Sequence, residues 1–319
     1  MNPNTIHEQY AGTTIGPLKI PYFPLVDLHK NPLDKDHLHI TKVAGKYTIP
    51  DDKANAFAED MIEKLNAKKG SFDGPTLKLV DYSLGPDGLT LDVQPSSFFK
   101  HKSTNLSLDK DVIWNMVEER NPDYSNLDDG LSNAIGTGVV AITKDNKIVI
   151  FERKHDIDQY PGLYGTPSGF VNPLDDDYNP FNTQRRILKK QMGIEEEYIK
   201  KPELIGVGRA GDDRHIELSF YAQINKTFEE LQIPDKTKHE NIIPLEFTPE
   251  AVAEYLAETV ESVPRDAVKR GDMWIDGKTP KWVPAQADAI NKALRMNNNP
   301  KRVDKAISDE FYRSLKPVA

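Results

Sequence analysis

Between residues 51 and 69 the chain sets Phe57, Met61, Ile62 and Leu65 on one stripe at helical spacing, with acids early, lysines late and Gly70 just past the end. That pattern predicts an amphipathic helix. The period then changes. TLKLVDYSL and LTLDVQP alternate apolar with polar around the turn signal GPDG, so a β-hairpin is predicted. DKDVIWNMVEERNPDY reads as a short helix with Trp114 facing inward. After the turn-rich NPDYSNLDDG, AIGTGVVAIT and KIVIFERK are predicted strands joined at residues 144–147. A helix is predicted over 182–192, and LIGVGRAG and IELSFYAQI are further strands meeting at the polar tip 212–215. Thr248 as N-cap and Pro249 in the first turn open the helix TPEAVAEYLAE. WVPAQADAINKALRM and KAISDEFYRSL close the chain as helices.

Ahead of all this, the first fifty residues are proline-rich and carry no helical period. Their segment IGPLKIPYFPLVDL has enough apolar side chains to lie over a core as an extended arm. With NPDYSNLDDG as the boundary, the reading is of two units. Residues 1–130 form the arm and a small α+β subdomain, and residues 131–319 form an α/β unit with C-terminal helices. A chain of 319 residues is long enough for both.

Composition narrows the chemistry. A net charge of −9 argues against general nucleic-acid binding, which depends on a basic footprint. Cysteine is absent, which excludes disulfides, thiolate zinc sites and cysteine nucleophiles. No apolar run approaches the ~18 residues of a membrane span. The opening MNPNTIHEQY has neither the basic start nor the apolar core of a signal peptide, so a cytoplasmic location is expected.

The stretch GTPSGFVNPLDDDYNPFNTQRRILKKQMGI organises the second unit. It resembles the Nudix box, a glycine-bounded loop followed by a helix of the form R-E-U-x-E-E-x-G-U, with U aliphatic. Pro167, Ser168 and Gly169 stand where that family has P-G-G, and Asp175 falls at its first Glu. Arg186, Leu188, Gly193 and Ile194 match the R, U, G and U positions, with about three extra residues around 178–181. The resemblance implies an α/β/α sandwich around a mixed sheet. It also implies a magnesium site on the box helix that polarises a pyrophosphate. At the three acidic positions of that helix this chain has Ile187, Lys190 and Gln191, which share one face. Magnesium requires hard oxygen ligands, and this face offers no carboxylate and one ammonium. No cofactor is expected by the usual site. Magnesium enters only if Asp175, Asp176 and Asp177 in the loop, with Glu217, replace the missing ligands.

A longer run extends the likeness. FDGPTLKL, LDVQPSSFFKHKSTN, GTGVVAIT, PGLYGTPSGF and LIGVGRAG resemble, in order, the Nudix branch that cleaves UDP-glucose and UDP-galactose. That branch carries a similar N-terminal β-rich unit, requires magnesium and yields UMP and a sugar 1-phosphate. In the cleft that the resemblance implies, Arg153, His155 and Arg209 at strand ends, with Arg186 and Lys190 on the box helix, are the candidate ligand contacts. Arg186 is also the box arginine, often held in a structural ion pair. Lys190 stands where an acid would bind metal and can meet a phosphate as a point charge. Glu217 shares a strand face with Ser219 and Tyr221 and, with Asp175, is the candidate for catalysis. Gly136 and Gly138 sit inside a strand pattern, where close packing accounts for them.

Three functions compete: a domain that recognises a nucleoside-diphosphate-linked small molecule (a UDP-sugar or ADP-ribose class ligand) without hydrolysing it, a nucleotide-sugar diphosphatase with relocated carboxylates, and a structural subunit or homodimer.

Overall fold

All eight residues of β7 (Ile135–Ile142) are buried, which requires cover on both faces. A computed structural model, which describes residues 13–15, 18–20, 22–157, 159–233, 239–258 and 282–314, shows how that cover is arranged. β7 pairs in parallel with β12 (Ile216–Ile224) and antiparallel with β8 (Lys147–Arg153). The sheet continues through β13 (His239–Glu246) on one side and β11 (Ile199–Ala210) on the other. Two short strands, β9 (Tyr164–Gly165) and β10 (Ser168–Phe170), pair β8 and β7 and complete a mixed sheet.

Alternate side chains of this sheet enter two cores. Val140, Ile142, Ile148 and Ile150 pack with the helices α5 (Pro249–Glu258), α6 (Pro284–Asn297) and α7 (Pro300–Ser314). Val139, Ala141, Val149 and Phe151 pack the other way, with Phe181, Leu188 and Met192 of α4 (Pro180–Met192). The same core takes in Leu77, Leu79, Leu91 and Val93 of an N-terminal sheet. The result is an α/β sandwich, helices on both faces of a mixed sheet, as expected.

The N-terminal sheet is β4 (Leu38–Lys42), β6 (Gly88–Ser97) and β5 (Pro75–Gly85), with β5 and β6 as the predicted hairpin. Around it stand α1 (Asp52–Ala67), α2 (Phe98–Ser103) and α3 (Asp111–Glu119), which buries Trp114. In α1 the residues fully buried are Ala54 and Ala58, whereas Phe57, Met61, Ile62 and Leu65 are only half covered. The two methyl groups sit at the helix contact; the larger stripe lies at its margin.

The expected arm is more than a cover. β1 (Thr13–Ile15) and β2 (Leu18–Ile20) form a hairpin, and β3 (Tyr22–Asp27) joins the edge of the central sheet against β11. Pro24 is tolerated because it lies on an edge strand, at a register shift opposite Gly208. Gly208 is glycine for a steric reason: a β-carbon there would stand 2.2 Å from the Tyr22 ring. A strand from the first 130 residues therefore completes the sheet of the second unit. The residues read as lacking a signal peptide lie largely outside the described ones.

A buried ion cluster ties residues 126–133 to β11 and the turn before β12. Asp129 is fully buried and accepts hydrogen bonds from Arg209 of β11 and, at 3.2 Å, from Arg214. Arg209 also donates to the Asn133 side chain at 2.7 Å and to the Asn126 carbonyl at 2.7 Å. Burial works to raise the Asp129 carboxyl, but Arg209, Arg214 and Lys78 outweigh it and hold it below the usual carboxylate range. Removing one member of a buried ion group strands the others without a counter-charge, which costs about 3–5 kcal/mol. Asp129→Asn should therefore destabilise the protein by about 3–5 kcal/mol in urea unfolding; a loss below about 0.5 kcal/mol, the range of ordinary surface changes, would show that the cluster holds nothing together.

Candidate functional site

The loop before α4 is built first by its helix. Asn179 caps α4 by accepting from the Phe181 amide at 2.9 Å, Pro180 occupies the first turn, and Gly193, at φ 65°, ends it. The extra residues ahead of the helix are taken up by Asp177 and Tyr178, whose φ angles of 46° and 61° make a left-handed turn. That turn brings Asp176, rather than Asp175, onto Arg186. The pair is bidentate, with Nε to Oδ1 at 2.8 Å and Nη2 to Oδ2 at 2.8 Å. Asp176 also accepts from the Thr183 hydroxyl at 2.7 Å and the Asn172 amide at 2.9 Å. Its bonds to Asp176 raise the Arg186 guanidinium above its ordinary value, against the effect of burial.

The three box positions then separate. Ile187 is buried beneath Gly169, where a β-carbon would stand 3.4 Å from its Cδ1. Gln191 clamps the preceding loop: its Nε2 donates to the Ser168 carbonyl at 2.8 Å, and its Oε1 accepts from the Ser168 amide at 3.3 Å. Lys190 is exposed, lines the cleft and has no ion pair among the described residues. This set of a hydrocarbon, an amide engaged with backbone and an ammonium does not fit a magnesium ion.

The cleft has a volume of about 680 Å³, within the usual range for a small-molecule site. Arg153, Lys190, Arg186, Asp175 and Glu217 of the expected set line it. Arg153 donates to the Gln159 carbonyl at 3.1 Å and lies 3.4 Å from the Ser168 hydroxyl. Desolvation lowers its guanidinium below its ordinary value, although Tyr160 and Glu217 pull the other way. Asp175 is exposed and accepts from the Asn172 side chain at 2.7 Å.

Glu217 is 4 % exposed, lies beside Gly136 and Gly138 across the β12–β7 pairing, and presents Oε1 without a hydrogen-bond partner. A β-carbon on either glycine would come within 2.6 Å of its carboxylate, so their absent side chains make the room it occupies. Behind Glu217 stands a feature absent from the sequence reading. His215 Nδ1 is 2.5 Å from Asp213 Oδ1, and its Nε2 is 3.4 Å from Glu217 Oε2. Gln159 donates to the other Asp213 oxygen at 2.7 Å. Burial disfavours the charged imidazole, but the two carboxylates prevail and push His215 up to about 10. Neighbouring Asp212, buried and beside Asp213, is pushed up to about 6. The signal was available: Asp213, His215 and Glu217 recur at every second residue from the polar tip into the predicted strand.

Several candidates fall elsewhere. Arg209 is fully buried in the Asp129 cluster and does not line the cleft. Asp176 is engaged with Arg186, so it has no oxygen to offer a metal. Asp177 is exposed beyond the lining, and among the described residues no group of three metal-ligating side chains assembles. His155 is exposed, with its ring against Gly162, whose β-carbon would stand 2.4 Å away; it too lies outside the lining. In their place come Phe72, Thr76 and Phe98 from the N-terminal unit and Tyr160, His215 and Gln286 from the second.

With that geometry in hand, comparison with known proteins gives structural likeness alone. Neither a family model nor a curated protein matches the chain. Among solved structures it is similar to the NUDIX domain of Shewanella oneidensis NrtR complexed with ADP ribose, at 15 % identity over 51 % of this chain and 88 % of that one, with a TM-score of 0.34. It is also similar to a MutT protein from Methanosarcina mazei Go1, at 12 % identity over 52 % and 95 % of the two chains and a TM-score of 0.34. A bifunctional NMN adenylyltransferase/ADP ribose pyrophosphatase from Francisella tularensis gives 12 % identity over 60 % and 52 %, with a TM-score of 0.33. No helix among the described residues is long and apolar enough to cross a membrane.

The histidine between two carboxylates has a measurable consequence. Unfolded, His215 titrates near 6.5; folded, it keeps its proton up to about 10. Its contribution to stability is therefore fully present below pH 6.5 and lost as pH rises to about 10. The stability gap between wild type and His215→Gln, measured by denaturant unfolding, should be widest near pH 6 and shrink towards pH 10. A gap independent of pH would show that the imidazole is not charged in the fold.

Proposed function

We propose that the cleft recognises a nucleoside-diphosphate-linked small molecule, of the UDP-sugar or ADP-ribose class, and that the usual metal-dependent hydrolysis is lost or severely weakened. One observation carries this reading: on the helix face where a Nudix box would hold metal, Ile187 is buried, Gln191 lines the cleft with its amide spent on Ser168, and Lys190 brings the face's one charge to the cleft. A lysine there meets a diphosphate oxygen directly and supplies charge without a metal. Arg153, also without a carboxylate partner among the described residues, adds a second cation at the same cavity. Neither cation acidifies a bound water as a divalent ion does, so binding is expected without cleavage. The UDP-sugar end of the ligand class draws support from the sequence likeness that runs from FDGPTLKL to LIGVGRAG.

A second reading retains catalysis. Glu217 offers a buried, unpartnered carboxylate oxygen at the cleft, and Asp175 lies on the same lining. If a metal binds there, those two residues hold it and Glu217 is the base.

The two readings separate in one panel. Purified protein is titrated with UDP-glucose, UDP-galactose, ADP-ribose and dinucleoside polyphosphates, with and without magnesium or manganese, following binding by calorimetry and turnover by chromatographic separation of the nucleotide products. Binding without turnover is expected, and Lys190→Ala should weaken it about tenfold, the loss of one charge-assisted hydrogen bond. Robust metal-dependent turnover, abolished in Glu217→Gln and Asp175→Asn, would replace the first reading with the second.

A further inference from the structure

Phe72 has no role in the fold, yet it stands at the cleft. It is 77 % exposed, one of three large apolar side chains so exposed among the described residues, and it lines the cavity. Its loop is not loose. Asp73 Oδ1 accepts from the Phe99 amide at 2.7 Å, and Gly74 accepts from the Phe98 amide at 2.8 Å. The Phe72 ring lies over Gly74, where a β-carbon would press on its Cε1 at 3.4 Å. A phenyl ring held out in water on a pinned loop gains nothing from the fold itself, since its apolar surface stays hydrated.

What lies next to it is ordered. Phe98 follows Gly74 through that backbone bond, and its ring centroid is 5.9 Å from Phe170. The Phe170 carbonyl accepts from Arg186 at 3.0 Å. Phe98 thus pairs with Phe170, the residue whose carbonyl Arg186 holds, and Phe72 lines the same cavity as both. A ligand with phosphates near Lys190 and Arg153 would find these aromatic rings in the cavity it occupies.

We propose that Phe72 is the stacking platform for the planar heteroaromatic ring of the ligand, so that the N-terminal unit supplies the ring subsite and the box helix the phosphate subsite. This rests on the nucleotide reading above. An aromatic face accepts any base by stacking, and loss of one such face weakens binding about tenfold or more.

The probes are UDP and ADP, which carry rings, and inorganic pyrophosphate, which does not. Phe72→Ala should weaken UDP and ADP about tenfold and leave pyrophosphate within about twofold, while Phe72→Trp restores ring binding. Phe72→Trp should also show tryptophan quenching by UDP and ADP beyond that of the wild type, and none with pyrophosphate. Thermal melts should match the wild type, because the side chain is exposed. Unchanged UDP and ADP affinity in Phe72→Ala, or an equal loss for pyrophosphate, overturns the platform while leaving the nucleotide reading intact. Failure of the wild type to bind any of the three overturns both.

Discussion

One buried carboxylate, Asp129, decides how the two parts of this chain meet. Three cations surround it: Arg209 of β11, Arg214 in the turn before β12, and Lys78 of β5. An isolated charge in such a place is untenable, and even a pair gains stability only if every remaining polar atom is satisfied. That requirement recruits the segment 122–133, whose carbonyls receive what Asp129 cannot. Arg209 donates to Asn126, and Lys78 donates to Leu131 at 2.5 Å. Burial still pushes Lys78 down, to about 8, with Asp129 opposing and Arg209 assisting. A stretch that reads from its turn residues as a boundary is therefore a seam held in place by buried hydrogen bonds.

The seam sets the cleft. Arg214 is fixed by Asp129, so the turn that carries Asp213 and His215 is fixed too, and with it the base of β12 from which Glu217 projects. On the opposite side of the seam, β5 and α2 present Thr76 and Phe98 to the same cavity. A second lock, Arg186 on Asp176 and Gln191 on Ser168, holds the loop that leads into α4. Together the two locks keep cations, aromatic rings and one carboxylate at fixed separations, which reduces the ordering cost of binding.

Local pattern carried much of the fold. The helix of the box, the hairpin around GPDG, the strand pairs and the three closing helices were all legible, because each depends on spacing within a few residues. Placement across the chain was not. β3 reads as part of an extended arm because its region is proline-rich and lacks a helical period; its pairing with β11 as an edge strand is not visible locally. Arg209 reads as a cleft cation because strand ends usually face ligands, but the buried Asp129 that claims it lies eighty positions away in sequence. Asp176 was displaced from the metal reading by backbone geometry: the left-handed turn at Asp177 and Tyr178 moves the ion pair one residue along. Phe72 carried no signal, since a phenylalanine in a short loop looks like any other until its exposure is seen.

Lys190 brings the electrostatics to a point. A divalent ion in a cleft binds anionic oxygen and also polarises it, and the second effect requires charge density that a single ammonium lacks. Ile187 packs against Gly169 and Gln191 is engaged with Ser168, so this helix face gives a metal no carboxylate oxygen beside Lys190. Glu217 stands elsewhere in the same lining, its neighbour His215 carrying a compensating positive charge. An ion drawn to Glu217 would therefore meet a carboxylate already partly neutralised by imidazolium, which weakens the attraction there. The proposed ligand suits these charges: it brings its own anion to Lys190 and Arg153 and can offer a hydrogen-bond donor to Glu217.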